Sequence, residues 1–418
     1  MLNTPKSLRL QIGLFGRANT GKSTFLNYIT NQDVSIASPI PGTTTDIVEK
    51  AIELLPVGPV LFLDTAGIDD KSPLSALRLK KTDTVFRRAD IYTLITESGK
   101  WQEYEESIAC RAKKENAPLI IVINKSDTGM PGKDFIDKMS SYTRHVIISS
   151  SIDNDLRDPT VHEFKKCLID IVPADFLKPP PIIGDLMPEG GLAILVVPID
   201  MEAPKGRIIL PQVQTIRDAL DNGQMALVVK EDGYANALRG LKVCPGIVVC
   251  DSQVVYQVFA QTPLEVKCTT FSILFARIKA DLKEMAGAAR VIDSLGPRDK
   301  VLIAESCSHH PIQDDIGRVK IPRWIKDYTG KDIRFDSCAG RDFPDNLKEY
   351  KLIIQCGGCM ISRREMLARM EQAAAQGVPM TNYGICISYV KGVLPRALSP
   401  FGFNTGVILH PEKKEFLP

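Results

Sequence analysis

The octet G-R-A-N-T-G-K-S, Gly16 to Ser23, limits what this chain can fold into more than any other feature. It follows an apolar run, LRLQIGLF (8–15), and precedes a helix-like TFLNYIT. A strand, a G-x-x-x-x-G-K-[ST] loop and a helix in that order form a phosphate-binding loop. Gly16 and Gly21 let backbone amides wrap a polyphosphate, with Thr20 and Thr24 beside them. Lys22 supplies a cation for the outer phosphates, Ser23 a hydroxyl for Mg²⁺, and the helix start its positive dipole end. Such a loop needs a mostly parallel sheet behind it.

The rest of the chain fits that demand. Apolar runs recur at 60–63, 91–95, 119–123 and 145–148, separated by helix-like stretches. Strands alternating with helices predict an α/β fold with a parallel sheet. At 418 residues, two to four domains are expected, and three are read here. Residues 1–175 form the nucleotide unit, and KPPPIIGDLMPEGG (178–191) is a linker-like stretch. Residues 185–262 form a small α/β unit with strands near 191–200, 224–229 and 246–251 and a helix over 211–223. At about 80 residues it is expected to leave an apolar face for a twin subunit. Residues 263–418 form a third α/β unit: a long helix over 270–296, strands at 300–305, 332–335 and 350–355, and a helix over 362–377. No internal repeat is visible.

Three further stretches decide the nucleotide. VLFLDTAG puts Asp64 at a strand end, where its carboxylate can hold a Mg²⁺ water, and Gly67 where its N–H can meet a γ-phosphate. LIIVINKSD ends on Asn124, Lys125 and Asp127, and N-K-x-D resembles the guanine-specifying motif of GTPases. HVIISSS brings small residues, Ser149 to Ser151, to a strand end, as in the last guanine-contacting loop. PGTTTD (41–46) resembles the first switch of the TrmE–Era class, with Thr44 as its Mg²⁺-ligating threonine and Thr45 where Arg is common. Asn19 matches an asparagine that some members use to hold K⁺; a loop-capping role is the other reading. Lys22, Thr44 and Gly67 are the catalytic candidates. Ile68 stands where related switches carry a water-orienting Gln, so slow hydrolysis is expected.

The third unit carries different chemistry. One strand runs into Cys307-Ser308-His309-His310, another into Cys356-Gly357-Gly358-Cys359. In a parallel sheet those two ends share one edge, so Cys307 can converge with the Cys356–Cys359 pair that begins 49 residues later. A closed zinc site wants four ligands. Three thiolates suit a 4Fe–4S cluster with one exchangeable iron. A redox pair and plain buried cysteine are the competing readings. The other seven of the ten cysteines, Cys338 among them, read as packing.

Composition narrows the partners. A net charge of +2 with 6% aromatic residues gives no basic aromatic face for RNA, so no nucleic-acid partner is expected. No apolar run reaches ~18 residues, so no membrane span is expected. MLNTPKSLRLQIGLFGR lacks a signal-peptide core, and a reducing cytoplasm is expected.

Together, PKGRIILPQVQTIRDALDNG (204–223), CSHHPIQDDIGRVKIPRW (307–324) and CGGCM (356–360) resemble the FeFe-hydrogenase maturation GTPases, the HydF family, over essentially the whole chain. That resemblance implies GTP-binding, dimerisation and iron–sulfur domains. It implies a homodimeric scaffold that binds GTP/GDP and Mg²⁺ and holds a 4Fe–4S cluster on Cys307, Cys356 and Cys359. The scaffold receives a diiron precursor from two radical-SAM maturases and delivers it to apo-FeFe-hydrogenase. Family members often carry His just before the C-x-x-C, and here Gln355 stands there. The fourth iron position is then left to His309, His310, Asp314, Asp315, water or an incoming ligand. The alternative is a TrmE–Era-type GTPase of RNA modification or ribosome assembly with structural zinc.

Overall fold

The computed structural model describes residues 4–30, 47–65, 75–198, 208–306, 315–340 and 342–403. The chain divides into two compact units, Met1–Pro179 and Pro180–Pro418.

The first unit is built on six strands: β1 (Leu10–Phe15), β2 (Val48–Leu54), β3 (Gly58–Asp64), β4 (Ile91–Glu97), β5 (Leu119–Asn124) and β6 (Val146–Ile148). Their order across the sheet is β2-β3-β1-β4-β5-β6. Every pairing is parallel except that of β2 with β3. Every residue of β1 and β5 is buried, as a strand covered on both faces requires. Sequence reading finds five of the six. It misses β2, VEKAIEL, because an edge strand half-open to solvent carries charges between its apolar residues.

The second unit holds two four-stranded sheets. One contains β7 (Leu192–Val196), β8 (Met225–Val229), β9 (Ile247–Cys250) and β10 (Lys267–Thr270) in the order β10-β9-β7-β8. The other contains β11 (Lys300–Ala304), β12 (Arg334–Cys338), β13 (Leu352–Gln355) and β14 (Met380–Asn382) in the order β12-β11-β13-β14. All pairings are parallel. The two sheets therefore repeat one plan, the first strand lying between the second and third, although no repeat is legible in the sequence. β10 lies beyond residue 262, where sequence reading ends its second unit.

The long helix expected over 270–296 is instead three: Phe271–Lys279, Leu282–Ala288 and Val291–Ser294. Thr270 ends β10 and caps the first, its hydroxyl accepting from the Ile273 amide at 3.2 Å. Ala280 is extended, and the Asp281 carboxylate caps the next helix by accepting from the Glu284 amide at 2.9 Å. A short capping side chain between two apolar helical patterns is what breaks the run.

Candidate functional site

The loop after β1 needs its glycines. Gly16 has φ 153°, and a Cβ there would meet the Ile95 carbonyl oxygen at 2.5 Å. Asn19 takes φ 64°, in the left-handed region that Asn tolerates. Lys22 opens the following helix, and its ammonium donates to the carbonyls of Gly16 at 2.9 Å and Arg17 at 2.8 Å. Ser23 Oγ donates to Asp64 Oδ2 at 2.9 Å across the end of β3. The other Asp64 oxygen is buried and meets no hydrogen-bond partner among the described residues. Burial pushes the Asp64 carboxyl above its ordinary range, against the lowering influence of Lys22 and Ser23. A buried carboxylate oxygen left open beside a serine hydroxyl and a lysine fits a hydrated Mg²⁺. Thr24 is exposed on the first helical turn.

Asn124 joins three loops at the ends of β5, β1 and β6. Its amide donates to the Thr20 carbonyl at 3.0 Å, and its Oδ1 accepts from Ser151 N at 3.2 Å and Ser151 Oγ at 2.8 Å. Lys125, at φ 59°, reaches back over the phosphate-binding loop and donates to the Asn19 carbonyl at 2.6 Å. Ser150 Oγ donates to Asp127 Oδ1 at 2.6 Å, fixing that carboxylate. Ser149 anchors the last loop, its carbonyl accepting from Ser126 N at 3.1 Å. Thus Gly16 to Ser23, Asp64, Asn124, Lys125, Asp127 and Ser149 to Ser151 gather at one edge of the sheet. Thr44 and Gly67 lie outside the described residues.

Two supporting carboxylates were not foreseen. Glu97 ends β4 and accepts from Lys125 at 2.8 Å. Burial pushes its carboxyl up, but hydrogen bonds from Lys100 and Lys125 outweigh that and hold it below the usual range. Buried Glu105 accepts from Arg17 Nε at 2.8 Å and tethers the loop from the side. Glu97 had a signal: a lone acid closing an apolar strand at the ligand-bearing edge. Glu105, inside a polar helix, had none.

The second candidate site lies at the C-terminal ends of β11 and β13, the point where this sheet's strand order reverses and where open α/β sheets bind ligands. Ala304 pairs with Gln355, and the Cys356 amide donates to the Ala304 carbonyl at 2.8 Å. Cys356 Sγ accepts from Ser306 N at 3.1 Å and Gln355 Nε2 at 3.4 Å, and faces Ser306 Oγ at 3.3 Å. Gln355 is fully buried; its amide also donates to Ser306 Oγ at 3.0 Å, and its Oε1 accepts from Arg369 Nη1 at 3.1 Å. Gly358 has φ 65° and turns the chain between the two cysteines. Beneath the turn, Lys279 is 5% exposed and donates to the carbonyls of Gly358 at 2.7 Å and Ile361 at 2.8 Å. Burial pulls its ammonium down to about 8, against the raising influence of Cys359, Cys356 and Glu365.

Amide donors aimed at a sulfur suit a metal-bound thiolate. Among the described residues no three His, Cys, Asp or Glu side chains converge on a metal position. Cys307, His309, His310 and Asp314 lie outside those residues, Cys307 immediately after Ser306. Asp315 caps the π-helical turn Ile316–Lys320, accepting from Arg318 N at 2.7 Å. Cys338 ends β12 on the same edge, its thiol pushed up to about 11 by burial. The Tyr383 hydroxyl is buried there without a partner among the described residues.

A six-stranded sheet of this order, with a phosphate-binding loop after β1 and N-K-S-D after β5, defines a P-loop GTPase. Residues 11–125 match the family model described as 50S ribosome-binding GTPase. Residues 182–280 match the hydrogen maturase F dimerization domain, and residues 282–400 its tetramerization domain. The chain belongs to the hydrogen maturase F family, whose two models together span just over half of it.

The curated relatives match about a third of the chain. A tRNA modification GTPase MnmE of Prochlorococcus marinus is 35% identical over 164 residues, 38% of this chain and 34% of the relative. GTPase Der of Persephonella marina is 31% identical over 144 residues, 33% of this chain and 32% of the relative. The chain thus spans about a third of these relatives' length. Among solved structures, Era in complex with MgGDPNP and part of 16S ribosomal RNA aligns with TM-score 0.35 and 20% identity over 53% of this chain and 91% of Era. The G domain of the T. maritima FeoB iron transporter gives 0.31 and 17% over 40% and 99%.

Proposed function

We propose that this GTPase is the scaffold or carrier of a diiron precursor in FeFe-hydrogenase maturation, holding a 4Fe–4S cluster on Cys307, Cys356 and Cys359. The single observation that carries the reading is the Cys356 sulfur, which accepts amide donors from Ser306 and Gln355 at the reversal point of its sheet. Cys307 follows Ser306 directly, and Cys359 follows across the Gly357-Gly358 turn. The buried Gln355 amide is engaged by Ser306 and Arg369, so it offers no permanent fourth ligand. Cys307, Cys356 and Cys359 would hold the cluster by three thiolates and would leave its fourth position without a protein ligand, open to an incoming diiron unit. When bound, the cluster supplies that open coordination position. The chain's own residues fix the thiolates and exclude water behind them.

In the nucleotide unit, Lys22 and the loop amides hold the phosphates, and Ser23 with Thr44 ligates Mg²⁺ while Asp64 holds one of its waters. Asp127 accepts from guanine N1 and N2, with the Lys125 stem against the base. Bound nucleotide sets the switch segments and thereby the affinity for the two radical-SAM maturases and the apo-hydrogenase. Hydrolysis is slow without a water-orienting Gln, and K⁺ beside Asn19 supplies charge to the phosphates. GTP turnover is expected to be several-fold faster in K⁺ than in Na⁺; equal rates remove K⁺ from the mechanism.

Anaerobic reconstitution with iron and sulfide tests the cluster. A brown protein with a 4Fe–4S EPR signal is expected, with the signal lost in Cys307→Ala, Cys356→Ala and Cys359→Ala. A colourless protein with one zinc per chain defeats the reading.

A further inference from the structure

Lys279 is a buried cation that the nucleotide site does not use. It ends the helix Phe271–Lys279, is 5% exposed, and points its ammonium under the turn that carries both cysteines. Both of its hydrogen bonds go to neutral carbonyls, Gly358 at 2.7 Å and Ile361 at 2.8 Å, on either side of Cys359. Among the described residues no carboxylate lies within ion-pair distance of it. The acid that acts on it, Glu365, faces Arg369 at 3.4 Å, and Arg369 is itself 5% exposed. Lys279 and Arg369 are thus the buried cations beneath the turn, with Glu365 paired to Arg369, while buried Glu305 on the β11 side is paired with Arg318 at 2.8 Å.

An ammonium taken out of water costs several kcal/mol unless an anion compensates it. Carbonyl acceptors offset part of that cost, but they carry no net charge. A buried cation is retained where an anion sits beside it. Three thiolates on a 4Fe–4S core carry a net charge of −1 when the core is oxidised and −2 when it is reduced. A fixed cation below the thiolates therefore favours the reduced state by simple Coulomb attraction in a medium of low dielectric.

We propose that Lys279 is the counter-cation of the cluster and the anchor of its C-x-x-C turn, raising the cluster's reduction potential while holding Cys359 in place. The inference rests on the cluster reading above and goes beyond it, because it assigns a potential-setting role to a residue that binds no iron. Lys279 is a positioning residue in this sense: it touches the turn, not the metal.

The test separates charge from hydrogen bonding. Lys279→Gln keeps N–H donors for the two carbonyls and removes the charge. Full-length wild type and Lys279→Gln are reconstituted anaerobically, and iron content and midpoint potential are measured by a redox titration followed by EPR. Lys279→Gln is expected to bind as much iron as wild type and to show a more negative potential. An unchanged or more positive potential at equal iron content overturns the proposal while leaving the cluster standing. If wild type itself takes up no cluster, the cluster reading fails instead. Should Lys279→Gln not accumulate as folded protein, Lys279→Met and Lys279→Arg decide the matter together. The methionine variant should show a more negative potential and the arginine variant one close to wild type, and equal potentials in the two overturn the proposal.

Discussion

Asp64 has two oxygens with different fates: one accepts from Ser23, and the other is buried without a partner among the described residues. Burial raises its pKa, so the folded chain holds this proton more tightly than an unfolded aspartate does. Relative stability from this group is then present at low pH and is lost as pH rises through the raised value. Asp64→Asn should therefore melt at a higher temperature than wild type at neutral pH without metal or nucleotide. That gain should shrink as the pH is lowered, and a gain that grows on acidification would contradict the account. The same variant should lose about 10–100-fold in Mg²⁺-dependent GTP turnover. At this scale the sequence was most readable where chemistry forces a residue type: Lys22, Ser23, Asp64 and Asn124 each sit at the end of a strand-and-loop pattern. Glu105 and Lys279 were illegible, because a charge on a helix ordinarily means a solvated face, and only the packing shows that both are buried.

The elements around the cysteine site approach one another closely. Gly317 lies in the π-helical turn Ile316–Lys320, where a Cβ would collide with the Tyr383 hydroxyl and come within 2.9 Å of Glu305 Oε1. Glu305 is itself bound by Arg318 Nη2 at 2.8 Å, so the acid cannot swing away freely. Gly317→Ala should cost about 1–3 kcal/mol of stability in urea unfolding, the usual penalty of overpacking. A midpoint equal to wild type would show that the turn yields. The continuous apolar runs 119–123 and 350–355 made β5 and β13 easy to foresee. Short β14, only three residues, and charged β2 escaped because neither shows an uninterrupted apolar stretch. The break at Asp281 escaped for another reason: aspartate is compatible with a helix until its carboxylate is seen capping the next one.

For the whole molecule, assembly is the open chemical question. Among the described residues β8 is an edge strand that pairs only with β7, and it exposes Met225 and Val228. The neighbouring helix Leu210–Asp221 exposes Val213 and Leu220. Edges of this kind invite a second strand, and this stretch lies within the match to the dimerization domain. Val228→Lys is expected to shift the protein toward half its assembled mass in light scattering, with GTP turnover per chain retained. An unchanged mass would place the dimer contact elsewhere. The fold class was legible because strands and helices alternate along nearly the whole chain. The shared plan of the two later sheets was not, since strand order depends on which crossovers pass over which neighbours and leaves no repeat in the residues themselves.

That strand order has a consequence in time as well as space. Cys307 follows the first strand of its sheet and Cys356 the third, so their neighbourhood exists only once the crossovers between them have closed. On a ribosome adding about 5–20 residues per second, the second half of the site emerges roughly 3–10 s after the first. During that interval Cys307 is a lone thiol on an unfinished sheet. For the proposed scaffold, cluster insertion would thus follow the emergence of Cys356 and Cys359, and the chain would have to reach that point with its thiols still reduced.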